Sequence, residues 1–373
     1  MKIEGFAIVI AAIVLVGCGS NVVSGPSQST ATMASPVRGI TPFPNGSLAS
    51  KTPSPPATSE PTGTPVATRI AWDSALVLAI PKDAGISVAW SLDGKRLFIG
   101  THNNGVLVAS PFSGDVLPGN GSAYVASLAI SPNGKTLAAG LGYSDSIVLI
   151  PIEPGGIKQD MPGLQAGAIP DLSFSPDGKY LASGGDAIQI WNAASGELLK
   201  DLYDTDGILG GIAFSPDGKA LVAVDGTEEH HTFHIWDTAT WSIQKTFPAN
   251  KTTDLAFSPD GSHLATGSDA VLDLKFAGGT DTWNIKTGTR SLQLKQNPVL
   301  PILAVAYSPD GRYLAAGGIG PNIILWDANT GKPVRELYYG PEWRVVRSLA
   351  FSPDGGKLAS VGSEVLVWSI AAP

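Results

Sequence analysis

The sequence predicts an all-β fold, a seven-bladed β-propeller of four-stranded antiparallel blades. Three observations carry the prediction. The turn Ser-Pro-Asp-Gly, or a close variant, occurs seven times, and successive copies start 40, 44, 40, 43, 50 and 44 residues apart. A period of that size marks a propeller or a solenoid. The strand before each turn keeps one apolar pattern, and a later strand in most repeats ends in Trp.

The repeats do not start at the N-terminus. Residues Phe6 to Val16 form an apolar run behind Lys2, too short to span a bilayer, which takes roughly 20 apolar residues. The run suits an export signal. It ends in Leu15-Val16-Gly17-Cys18, which resembles the lipobox of bacterial lipoproteins. The resemblance implies cleavage before Cys18, a lipid on that residue, and a position outside the cytoplasm on the bacterial cell membrane. A cleaved signal with an incidental cysteine, or an uncleaved anchor, is the alternative. Cys18 is the only cysteine, so no intrachain disulfide can form. Residues 1–17 are thus read as the signal peptide, 18–66 as the lipidated Cys and a tether, and 67–373 as the propeller. The tether is dominated by Ser, Thr, Pro, Gly and Ala, as in Pro53-Ser54-Pro55-Pro56-Ala57-Thr58. It cannot bury enough apolar area to offset the entropy of ordering, and a flexible chain of its length spans about 40 Å.

The turns are Ser91-Leu92-Asp93-Gly94, Ser131-Pro132-Asn133-Gly134, Ser175-Pro176-Asp177-Gly178, Ser215-Pro216-Asp217-Gly218, Ser258-Pro259-Asp260-Gly261, Ser308-Pro309-Asp310-Gly311 and Ser352-Pro353-Asp354-Gly355. Pro presets φ, Asp or Asn accepts nearby backbone hydrogen bonds, and Gly takes the positive φ that closes a hairpin. Immediately before each Ser stands Trp90, Ile130, Phe174, Phe214, Phe257, Tyr307 or Phe351. Two residues earlier stands Val88, Leu128, Leu172, Ile212, Leu255, Val305 or Leu349. Large apolar rows of this kind suit sheets packed face to face. The third strand ends at Trp191, Trp236-Asp237, Trp283, Trp326-Asp327 and Trp368, while Ala109 and Ile150 take the Trp place in the first two repeats.

These motifs resemble the WD40 repeat family over about residues 70–373. The resemblance implies a ring of four-stranded blades that binds proteins or peptides. Trp-Asp is intact at 236–237 and 326–327 and softened to Trp-Asn at 191–192 and 283–284. The family's Gly-His dipeptide is absent from all seven repeats, so its buried Asp–His–Ser/Thr–Trp network is not expected intact. The last repeat lacks a fourth strand. The segment Thr68–Ile80, with Ala75-Leu76-Val77-Leu78-Ala79-Ile80, is expected to supply it and close the ring.

A net charge of −8 without a basic stripe argues against nucleic acid, whose phosphates need cations. No nucleophile motif, phosphate-cradling loop or His-Glu-x-x-His occurs. No cofactor is expected, and a monomer is. Two carboxylates, Asp171 and Asp254, stand in the expected channel ring, where they would either bind a cation or be solvated or turn-capping side chains. His230, His231 and His234 are a weak metal candidate, because odd and even strand positions face opposite ways. The leading expectation is a non-enzymatic scaffold that recruits a protein or peptide on its loop face. Its candidate contacts are Tyr338, Tyr339, Glu342, Trp343 and Arg344, with Tyr203 and Tyr143 nearby, since aromatics and Arg anchor interfaces. The alternative is an enzyme or small-ligand binder at the channel mouth.

Overall fold

The computed structural model describes residues 76–78, 85–114, 116–117, 123–144, 146–153, 156–162, 169–185, 187–202, 211–226, 231–249, 251–268, 279–294, 300–338 and 344–370. Every element among them is a β-strand. β1 is Leu76–Leu78. The first four-stranded sheet holds β2–β5 (Gly85–Trp90, Leu97–Thr101, Val106–Ala109, Val116–Leu117). The second holds β6–β9 (Val125–Ile130, Thr136–Leu141, Ser146–Pro151, Gln159–Pro162), and the third β10–β13 (Asp171–Phe174, Tyr180–Gly184, Ile188–Asn192, Leu198–Leu202). The fourth holds β14–β17 (Gly211–Phe214, Ala220–Gly226, His231–Asp237, Ser242–Ala249), and the fifth β18–β21 (Thr252–Phe257, His263–Ser268, Gly279–Asn284, Thr289–Leu294). The remaining strands are β22–β25 (Ile302–Tyr307, Tyr313–Gly320, Asn322–Asp327, Pro333–Tyr338) and β26–β28 (Arg344–Phe351, Lys357–Gly362, Val365–Ser369).

The fold is an all-β propeller, but the expected seven separate four-stranded blades are not what forms. Five sheets stand alone as four-stranded blades. β22–β28 and β1 share one eight-stranded sheet. The joint is a short antiparallel pairing of β23 with β26, Ile319↔Val345 and Gly320↔Arg344. β23 runs on to Gly320, far enough to reach its neighbour's first strand. Repeat counting in the sequence cannot see this, because the joining residues lie outside the repeated motif.

The N-terminal segment supplies an outer strand, but closure of the ring by that strand is not shown. β1 is three residues long and pairs at the outer edge with β28, Leu76↔Val367 to Leu78↔Val365. The first and last sheets meet further in, along β2. Val88, Trp90, Leu97 and Ile99 pack with Ala359, Val361, Val365 and Val367 in one buried cluster. Trp90 Nε1 donates to Ala350 O at 2.9 Å, and Val88 N donates to Ser348 Oγ at 3.3 Å. Similar clusters fill each inter-sheet space, so the core is a series of wedges between sheets.

The turn chemistry follows the sequence reading. Ser175 Oγ donates to Asp177 Oδ1 at 2.7 Å and accepts from Tyr180 N at 2.9 Å. Asp177 Oδ1 also accepts from Lys179 N at 3.0 Å, and Gly178 has φ 73°. The turns also touch one another. A Cβ added to Gly178 would stand 3.8 Å from Pro132 Cδ, one on Gly218 3.5 Å from Pro176 Cδ, and one on Gly94 3.9 Å from Pro353 Cδ. Each turn glycine thus rests on the preceding repeat's turn, and the series returns from the last turn to the first.

The Trp rows are buried as expected, and Ala109 and Ile150 take the equivalent register against Leu97 and Leu137. Part of the family network survives without Gly-His. Trp191 Nε1 donates to Ser183 Oγ at 3.0 Å, Trp283 Nε1 to Thr266 Oγ1 at 3.1 Å, and Trp368 Nε1 to Ser360 Oγ at 2.9 Å. In the sheets of Trp236 and Trp326 the place of these hydroxyl residues is held by Ala223 and Ala316, two residues beyond the Trp partners Leu221 and Leu314.

Candidate functional site

In an antiparallel four-stranded blade the hairpins between first and second strands, and between third and fourth, lie at one end. The hairpins between second and third strands, and the segments entering the first, lie at the other. The second end carries an aromatic cluster. His102 belongs to the β3–β4 hairpin, Tyr143 to the β7–β8 hairpin, and Tyr124 precedes β6. The Tyr124 and Tyr143 rings are 4.8 Å apart at 36°, and His102 lies 4.9 Å from Tyr124. His102 Nε2 and the Tyr143 hydroxyl are 3.0 Å apart, and His102 Nδ1 is 3.1 Å from Asn103 Oδ1.

The backbone makes room for this cluster. Gly142 N donates to Tyr124 O at 2.9 Å, and a Cβ on Gly142 would stand 1.5 Å from Tyr124 Cδ1. Burial raises the Tyr124 hydroxyl above the usual phenol pKa, while the positive charge of Arg347 pulls the other way. Arg347 is skipped in the β26–β27 register, between Val346↔Gly362 and Ser348↔Val361. A bulge of this kind re-aims a side chain. Tyr143 remains 65% exposed, so the cluster is anchored by Tyr124 and presented by Tyr143.

Of the residues singled out in the sequence, Tyr143 therefore sits in a built aromatic group. Tyr338 is 51% exposed at the end of β25. Arg344 forms an ion pair with Glu364 through Nη1 and Oε2. Tyr203, Tyr339, Glu342, Trp343, His230 and Cys18 lie outside the described residues. His102 and Tyr124 were missed. Their signal was available: each sits in a segment of the type that meets at the loop face, but neither belongs to a repeated motif.

Asp171 and Asp254 have a different role from the cation site weighed for them. Asp171 Oδ1 accepts from Leu172 N and Oδ2 from Ile212 N, both at 2.8 Å. Asp254 repeats this with Leu255 N and Val305 N, again at 2.8 Å. Each carboxylate spends both oxygens tying its own first strand to that of the next sheet. Crowding by protein raises Asp171 to about 6. The same desolvation, with the negative charge of Asp171 added, raises Asp254 to about 8.

His231 and His234 lie three residues apart on β16, opposite Ala249 and Thr246, and the His234 ring stacks 5.5 Å from Trp236. No group of three or more His, Cys, Asp or Glu among the described residues is placed to hold a metal. Among the described residues no helix is long and apolar enough to cross a membrane.

The WD40 family model (WD domain, G-beta repeat) matches residues 113–150, 162–192, 241–272 and 291–327. Those four segments match WD40 repeats, and the described strands form an all-β propeller. It is 33% identical over 172 residues to the WD repeat-containing protein SL1-17 of Schistosoma mansoni, covering 44% of this chain and 52% of that one. It is 26% identical to autophagy-related protein 16 of Arabidopsis thaliana, covering 48% of this chain and 33% of that one. The chain thus spans about half or less of these curated relatives. Among solved structures, a chain of the Kuenenia stuttgartiensis hydrazine synthase superposes with a TM-score of 0.67 at 20% identity, over 79% of this chain and 97% of that one. At that identity the likeness concerns the fold alone.

Proposed function

We propose that this protein is a non-enzymatic scaffold, held outside the cytoplasm by a lipid on Cys18, that recruits a protein or peptide through the loop face of its propeller. The observation that carries the reading is the His102–Tyr124–Tyr143 cluster. A ring that is 65% exposed, stacked on a second aromatic and bonded to His102, is a rigid anchor with little side-chain entropy left to lose on binding. Arg347 adds a cation beside it. The two carboxylates weighed for chemistry at the channel mouth are engaged with backbone, which favours the scaffold over the enzyme.

The test uses the full chain in intact cells with a photo-crosslinking residue at position 143, and the same residue at Phe112 on the opposite face as a control. A partner trapped at 143, absent at 112 and lost with His102→Ala supports the reading. Equal trapping at both positions, or none at 143, sinks it. Anchoring is tested separately: Cys18→Ser is expected to release the protein from membranes, and unchanged membrane partitioning would refute the lipid anchor.

A further inference from the structure

The opposite end of the propeller carries a second, separate feature. A groove of about 690 Å³ opens between the fifth four-stranded sheet and the strands β22–β25 of the eight-stranded sheet. That size suits a small organic ligand. Its rim holds Asp260 and Asp310, each fixed by its turn: Ser258 Oγ donates to Asp260 Oδ1 and Ser308 Oγ to Asp310 Oδ1, both at 2.6 Å. Arg312 stands beside them, its guanidinium 5.5 Å from the centre of the Tyr313 ring. Leu292 supplies an apolar wall, and Tyr307 brings both a ring and a hydroxyl. Burial, and then the charge of Asp260, push the Tyr307 hydroxyl far above the usual phenol range, so it stays protonated and can donate. Beneath lies Thr282, 2% exposed, whose hydroxyl has no hydrogen-bond partner among the described residues.

We infer that this groove binds a neutral, hydroxyl-rich small molecule of the sugar or polyol class. The chemistry selects it by elimination. With the His263 imidazole on the same wall, two carboxylates against one guanidinium still repel an anion. A simple cation would leave Arg312 facing a like charge and the apolar wall unused. A polyol donates to the carboxylates, accepts from Arg312 and Tyr307, and lays its C–H face on Leu292. Such sites combine apolar lining with a few placed polar groups. The inference is independent of the recruitment reading, because the groove lies at the other end of the strands from Tyr143.

The experiment titrates the full chain with lactose, cellobiose and maltose by saturation-transfer NMR and calorimetry, with spermidine and glucose 6-phosphate as charged probes. At least one disaccharide is expected to bind saturably, with Kd of about 1 mM or tighter. Tyr307→Phe should weaken it about three- to tenfold, the loss of one hydrogen bond. Ser291→Trp, on the exposed outer strand, should block it. Should Ser291→Trp fail to give the wild-type circular-dichroism melt, the near-isosteric Tyr307→Phe decides. No saturable binding of any disaccharide, stronger binding of either charged probe, or binding indifferent to Tyr307→Phe would overturn the inference. Crosslinking at position 143 should be unchanged in Ser291→Trp, so this site and the loop face fail or hold separately.

Discussion

Single residues of this chain do work that their type alone does not announce. Trp241 has φ 56° where the equivalent turns of other sheets have Gly196, Gly288 and Gly331 at φ 70°, 70° and 67°. A bulky residue there is strained. The strain is offset by packing, since the Trp241 ring meets Tyr180 at 5.3 Å and Phe214 at 6.3 Å, both edge-on. Trp241→Gly should relieve the backbone yet lose that packing. We expect a net loss of about 1–3 kcal/mol in chemical denaturation, within the large-to-small range. Ser183→Ala leaves the Trp191 indole N–H buried without its acceptor and should cost about 1–2 kcal/mol by the same measurement. Gly142→Ala forces Tyr124 out of place. It should lower partner crosslinking at position 143 while the far-UV circular dichroism stays that of a β-propeller.

At the scale of elements, the hairpin turn is the repeated unit of design. Six turns have Pro or its equivalent corner resting on the next turn's glycine, and the first has Leu92, which is 50% exposed. Leu92→Pro puts into the odd turn the residue that six others carry there. It should stabilise by about 0.5 kcal/mol through the unfolded chain, read as a higher denaturant midpoint at unchanged slope. The strands themselves were legible, because an apolar row two residues apart, followed by a turn, leaves one face to bury. Their irregularities were not. Bulges recur in the first strands, as at Val346/Ser348, and beside the Trp positions, as at Ile235/Trp236. A bulge is a local change of register, and residue type alone does not fix which strand carries the extra residue.

For the whole molecule, carboxylates of two kinds set the pH response. The exposed turn carboxylates are held below their ordinary range. Asp177 lies at about 2 through its bonds with the Lys179 side chain and Ser175. Their contribution is present above the unfolded pKa and is lost as pH falls from about 4 toward 2. Asp171 and Asp254 are raised, so the folded state holds their protons more tightly than the unfolded chain. That contribution is full below the unfolded pKa and is lost as pH rises through about 6 and about 8. Thermal stability should therefore peak at mildly acidic pH and fall on both sides. Asp254→Asn should flatten the alkaline limb while lowering the peak, because an amide nitrogen cannot accept from backbone N–H. An unchanged alkaline limb in that variant would show that Asp254 is not the group titrating.

Local sequence patterns specify the class of fold, the hairpins and the buried Trp rows, because each depends on a few residues close together in the chain. Ser, Pro, Asp and Gly within four positions specify a turn wherever they occur, and a Trp two strands on must be buried beside it. The tertiary structure alone decided how the sheets are partitioned, with β23 reaching β26 to make one sheet of eight strands. It also decided that Asp171 and Asp254 bind backbone across a sheet boundary, and that His102, Tyr124 and Tyr143 meet. The physical reason is separation along the chain. Residues 41 positions apart, such as His102 and Tyr143, become neighbours only when two blades pack, and no local pattern records the angle at which they do.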